Sequence, residues 1–207
     1  ISARLNRHPL ANPVLISVLL IAPLLSISQT PYATYFDGAQ FIHFLLGPAT
    51  VALAVPLHAN LATIRKSALP LLAALFAGSL AAAGSAILIA MAFGLPEQVI
   101  VSVSPKSTTA PVALGISEAL GGSPTLTAVL VILTGIVGAV VVTPLMNLLR
   151  INDWRARGFA VGVAAHGIGT ARAFQVNETA GAFAGIGLAL NAVLTSILAP
   201  LLVALLL

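Results

Sequence analysis

Cysteine is absent from the sequence. A disulfide framework and any thiolate metal site are therefore excluded, and the chain carries no mark of its redox compartment. Charge is nearly as scarce. Only 7% of the residues are charged against 59% hydrophobic, too few to coat a soluble domain, so the chain reads as an integral membrane protein in a lipid bilayer. The net charge of +4 comes from nine basic residues scattered among uncharged runs. They form no basic face, which excludes nucleic acid as a partner. No group of histidines and carboxylates has metal-ligand spacing, and HGIGT is too short for a phosphate loop or a nucleophile elbow. Ser104 and Ser107 flank Lys106 in a way only superficially like a Ser/Lys hydrolase. With no soluble domain and no second base, we expect neither an enzyme nor a cofactor or metal.

What is present is hydrocarbon. Five runs free of Asp, Glu, Lys and Arg, Pro9–Ser28, Gly38–Ile64, Ser67–Pro96, Ala119–Leu149 and Thr179–Leu207, meet the length of about 20 residues that a bilayer core of about 30 Å demands. Ile1 is not an initiator methionine, and no cleavage signature follows Arg4, Arg7 and His8. We expect a further hydrophobic segment ahead of it.

Two intervals break the pattern. Ser102–Pro111, SVSPKSTTAP, places two prolines, a lysine and several hydroxyls amid apolar sequence, and His166–Arg172, HGIGTAR, is the second polar break. Backbone interrupted in this way must be shielded by protein or line a wet cavity.

The basic clusters Arg4/Arg7, Arg65/Lys66 and Arg150/Arg155/Arg157 decide how those intervals lie. If all three face the cytoplasm, segment 97–120 enters from outside and returns, and segment 158–178 enters from inside and returns. Each arm of roughly ten residues, about 15 Å long, would bring its tip to the midplane. Two broken crossing helices are the alternative. The expected fold is an all-α polytopic membrane protein, a single transmembrane domain over 1–207. It has five spanning helices and two re-entrant or broken segments in an inverted repeat, as in many secondary transporters. Thr109-Ala110 echoes Thr170-Ala171, and Glu118 echoes Glu178.

The outgoing arms are expected to begin near Thr109 and Thr170, with free N–H groups at the midplane that attract anions. Ser104, Lys106, Ser107, Thr108 and Thr109 from one tip, with His166, Gly167, Gly169, Thr170 and Arg172 from the other, are the candidate substrate-binding residues. Asn191, a lone amide in the last apolar run, either lines the same cavity or bonds a neighbouring helix. His166, Glu118 and Glu178 are candidates for proton coupling. The bland alternative is that Lys106 and Arg172 merely pair with Glu118 and Glu178, and that His166 is a packing residue. His43 and His58 read as structural or interfacial.

Phe44–Leu57, Ser102–Gly122, Leu126–Val140 and Arg155–Phe174 resemble the LrgB/CidB family of antiholin-like membrane proteins, a family that includes the C-terminal half of a plastid glycolate/glycerate translocator. The resemblance runs from about Pro9 to the C-terminus. Where members usually have Ser before the histidine, this chain has Ala165. The resemblance implies one of two functions, and the two buried polar tips favour the first, a secondary transporter, with the second as the alternative. The first is transport of small monocarboxylate anions such as glycolate, glycerate, lactate or pyruvate, beside a small LrgA/CidA-type membrane partner. The second is holin/antiholin-like control of murein hydrolases and lysis, or an accessory role to that partner. It also implies a homo- or hetero-oligomer in a bacterial cytoplasmic membrane.

Overall fold

The computed structural model describes residues 13–45, the single positions 48, 51, 55 and 58, and residues 61–207. Arg4, Arg7 and the side chain of His43 lie outside the described residues. Among those described, every regular element is an α-helix. The first expected span appears as α1, Pro13–Ile27, shorter than a full crossing. The second is described only at its ends, as α2, Tyr32–Phe44, which contains Asp37, and α3, Leu61–Lys66. His58 is exposed. Three helices are long and apolar enough to cross a membrane: α4 (Ala68–Ala92), α7 (Pro124–Leu148) and α9 (Glu178–Leu206). The described residues thus give three of the five expected spans.

Local chemistry sets the helix ends. Ser123 caps α7 through Leu126 N at 3.4 Å, with Pro124 at the first turn, where its missing N–H costs nothing. Asn177 Oδ1 accepts from Ala180 N at 3.1 Å to start α9. Gly94 and Gly121, with φ of +63° and +80°, supply the left-handed turns after α4 and before α7.

The helices α4 and α9 run side by side in the same direction. Leu75 packs with Phe183 and Ile186, Ser79 bonds Asn191, and Ala83, Ile87 and Ala90 pack with Leu198 and Leu202. Large apolar side chains such as Leu69, Phe76, Val193 and Leu201 stay exposed on these helices, the distribution expected when the outer solvent is lipid and small residues face inward.

Two helical hairpins fill the space between the long helices. The first joins α5 (Glu97–Val103) to α6 (Ala110–Ala119). The Thr127 hydroxyl reaches the Ser102 carbonyl at 3.0 Å and Ser117 Oγ at 2.7 Å. In one straight helix those residues would stand about 22 Å apart, so the chain reverses between them. The second hairpin is α8, Trp154–Val176, broken at Ala165 and His166. Trp154, Arg157 and Val161 line the same small cavity as Arg172, Ala173 and Val176, so this chain doubles back too.

The hairpins enter from opposite ends. The first has its base beside the start of α7 and the C-terminal end of α9, through Ser123 and through Ile100 with Leu198. The second has its base at the other end, where Asn147 of α7 meets Arg157. Arg65, Lys66, Arg150, Arg155, Arg157 and Arg172 all belong to the end of the second hairpin's base, while Glu97 and Glu118 mark the end of the first's.

The first arm of α8 lies against α9 backbone to backbone. A Cβ on Gly158 or Gly162 would run into the carbonyls of Ala180 and Ala184, and one on Gly187 would meet Phe159 O at 2.7 Å. We expect Gly162→Ala to force the helices apart and cost about 2–3 kcal/mol. In Gly84→Ala the new Cβ meets nothing within 4 Å, so that variant should be neutral or slightly more stable. Denaturant unfolding in detergent micelles measures both.

Candidate functional site

Both hairpin tips come to the middle of the long helices. The agent is Asn191, 1% exposed and central in α9. Its Nδ2 donates to Ser107 O of the first tip at 3.2 Å and to Val163 O, next to the second tip, at 3.1 Å. Its Oδ1 accepts from Ser79 Oγ at 2.6 Å and Thr195 Oγ1 at 3.1 Å. An amide has two N–H groups and two carbonyl lone pairs, and here all are engaged. Carbonyls on one side and hydroxyls on the other settle which amide atom is which. Of the two readings of Asn191, the structure supports the bond to neighbouring elements.

The second tip bends at a conformation that a helix cannot hold. Ala165 has φ −133° and ψ 21°, and His166 has φ 41° and ψ −138°, a left-handed backbone that costs a side-chain-bearing residue about 1–3 kcal/mol. Two bonds secure it. His166 Nε2 lies 2.7 Å from Val131 O of α7, and Thr170 Oγ1 donates to His166 O at 2.8 Å. A carbonyl only accepts, so Nε2 carries the proton. Gly135 and Gly138 allow the approach, since a Cβ on Gly135 would meet His166 Cε1 at 2.6 Å and one on Gly138 would strike Ala165.

The first tip spans Ser104–Thr109. Thr109 takes the N-cap position of α6 with φ −63° and ψ 146°, yet its hydroxyl makes no capping bond. Thr108 is fully buried and Thr109 nearly so, and neither Oγ1 has a hydrogen-bond partner among the described residues. Lys106 is half-buried with Nζ 3.3 Å from Ser107 Oγ. Glu118 is exposed on the far part of α6. The one ion pair found among the described residues is Arg155–Asp153 at 2.8 Å, so the Lys106–Glu118 pair is not formed.

Several expected site residues are placed elsewhere. The second outgoing arm begins at Gly167 instead of near Thr170, which sits a turn inside it and bonds backward. Ser104 Oγ donates to Val101 O at 2.8 Å, closing its own helix turn. Gly169 is buried against Val161 and Ala165 within the hairpin, whereas Gly167 faces open space. Arg172 lies toward the hairpin base, in the small cavity with Trp154 and Arg157, and is not brought to Lys106. Arg157 there donates to Ile151 O and to Asn147 Oδ1 and lies 4.8 Å over the Trp154 ring. Glu178 is exposed at the start of α9. At the same end Asp153 caps α8, and the hydrogen bond from the Arg155 side chain holds its carboxyl below the usual range.

Sequence reasoning missed Ser79 and the Ser102–Ser117–Thr127 cluster. Isolated hydroxyls inside long apolar runs were the available signal. Two cavities flank the tips. One, of about 490 Å³, lies between α4 and the first arm of α8, and the other, of about 350 Å³, lies between α6 and α9.

A bundle of long apolar helices with two opposed helical hairpins, their polar tips buried at the centre, defines an integral membrane protein. The chain matches the LrgB-like family over residues 1–205 and belongs to that family. It is 36% identical to YxaC of Bacillus subtilis over 195 residues, 94% of this chain and 85% of that protein. It is 35% identical to the holin-like protein CidB of Staphylococcus aureus over 196 residues, 95% of this chain and 86% of that one. No solved structure matches.

The two kinds of buried hydroxyl should answer differently to removal. Thr127→Val strips the bonds that close the first hairpin and should cost about 1–3 kcal/mol. Thr108→Val removes an unpartnered hydroxyl at nearly constant volume, and its stability should be unchanged or raised. Thermal unfolding of the purified protein in detergent compares them.

Proposed function

We propose that this protein is a carrier, without enzymatic activity, for small monocarboxylate anions of the glycolate, glycerate, lactate or pyruvate type. The observation that carries the reading is the meeting of the two tips at Asn191, with Lys106 and the unpartnered Thr108 and Thr109 hydroxyls beside them. Polar backbone at membrane depth is tolerated where it is buried in protein or lines a cavity, and charged groups there are functional by default. The N-terminus of α6 has its first N–H groups uncapped by Thr109. Together with the Lys106 ammonium it favours an anion, and the hydroxyls suit carboxylate oxygens. His166, with Nε2 held by Val131 O, keeps Nδ1 for a proton or a solute.

In this reading each hairpin is re-entrant. The basic end faces the cytoplasm of a bacterium, by the excess of Arg and Lys there, and α5–α7 and α8–α9 form two inverted repeats. Segment α1 to α3 contributes the remaining two spans. An LrgA/CidA-type membrane protein is the expected partner in a larger assembly.

The second reading is a holin-like role in lysis, which the names of the CidB relatives favour over transport. The tips favour the carrier. A lysis pore is built by assembling amphipathic helices around water, whereas here the polar groups are few and buried in one bundle.

Uptake of labelled glycolate and lactate into proteoliposomes, with and without the partner, separates the two. We expect saturable uptake, reduced about tenfold or more in Lys106→Ala and Thr109→Val, the loss of roughly one charge-assisted hydrogen bond of 1.5–3 kcal/mol. Full uptake in Lys106→Ala overturns the anion site. Release of a large entrapped dye without saturable uptake selects the holin-like role.

A further inference from the structure

The two cavities approach a single layer from opposite ends. From the basic end, the larger runs from Ser67, Asp153 and Arg155 to Gly78, Val163 and Ala164. From the acidic end, the other runs from Ala119 and Leu120 to Pro111 and Ser196. The first includes Val163, itself a partner of Asn191, and Gly78, next to its partner Ser79. The second reaches the first tip at Pro111, two residues beyond Thr109, with the outward face of α9 at Ser196 and Pro200 as its other wall.

The geometry points to Asn191 as a positioning residue that clasps the two tips together and closes the way between the cavities. The inference rests on the carrier reading, in which a solute passes between the tips. Asn191 has no hydrogen-bonding capacity left for a ligand, so it acts on the route through the tips it holds. Among the described residues its Nδ2 is the one group that bonds both hairpins at once, and parting them leaves at least one carbonyl oxygen without a donor in a buried place. The Ser79 and Thr195 hydroxyls fix the amide in the orientation that presents Nδ2 to those carbonyls. An anion bound by Lys106 and the α6 N-terminus lies on the first tip alone, so passage from one cavity to the other requires this clasp to open.

Because these 207 residues include no cysteine, single-cysteine reporters in this chain carry no background. Ala164→Cys reports on the first cavity. Gly115→Cys reports on the second, where a Cβ meets nothing within 4 Å. In sealed vesicles a membrane-impermeant maleimide is added to one face at a time. With Asn191 in place, each reporter should react from its own face. Asn191→Asp keeps the shape but replaces the two N–H donors by a carboxyl group that, neutral when buried, has one O–H for the two carbonyls. It should raise labelling from the far face about tenfold, the effect of losing one such bond. Ser79→Ala with Thr195→Ala frees the amide to turn and should give a smaller rise in the same direction, and this pair decides the matter if Asn191→Asp does not fold. Far-face labelling unchanged in a folded variant overturns the clasp. Raised labelling in a protein whose parent takes up no anion keeps the clasp and removes the carrier, while uptake with unchanged labelling does the reverse.

Discussion

A helix that breaks inside hydrocarbon leaves carbonyls and N–H groups that no water can reach, and each must find a partner within the protein. This chain breaks twice, and the rest of its structure is arranged around the repair. One carbonyl from the first break and one beside the second are answered by the same amide, Asn191. The His166 carbonyl is answered by Thr170 and the His166 ring by Val131. The positions of the two hairpins follow from these bonds. A tip displaced along the bundle would lose its donor with nothing in lipid to replace it.

Bringing hairpins so near to the long helices requires surfaces with almost no side chain. Gly158 and Gly162 let α8 lie on the backbone of α9, and Gly135 and Gly138 let the second tip lie on α7. The consequence is a core rich in alanine, glycine and hydroxyls, with a few large side chains such as Leu75, Phe159, Phe183 and Leu188 inside and most leucines and phenylalanines at least partly exposed. In a membrane this costs little, because lipid is as apolar as a protein interior and there is no reward for turning large side chains inward. Close packing and buried hydrogen bonds hold such a bundle together.

The unpartnered groups stand out against this background. Almost every buried hydroxyl among the described residues has a backbone or side-chain partner, and those of Thr108 and Thr109 do not. They share one tip with a lysine that pairs with no carboxylate among the described residues. A bundle so thorough in satisfying hydroxyls elsewhere leaves these two on one tip, and the proposed anion site rests on them.

Composition and hydrophobic runs alone determined that this is a helical membrane protein, because a chain with 7% charged residues has no other solvent to suit it. SVSPKSTTAP and HGIGTAR likewise marked where helices break, since prolines, glycines and a lysine are local properties readable one residue at a time. Which polar groups were satisfied could not be read in that way. Arg172 looked like a second cation for the site and instead lies toward the hairpin base, and Thr170 looked like the start of an arm and instead bonds back to His166. Asn191 stood equally for a ligand and for a bond between helices. Only the tertiary structure, by bringing Ser79, Ser107, Val163 and Thr195 from distant parts of the chain onto one side chain, decided that it is the bond. A hydrogen bond depends on where both partners are, and the sequence names only one of them at a time.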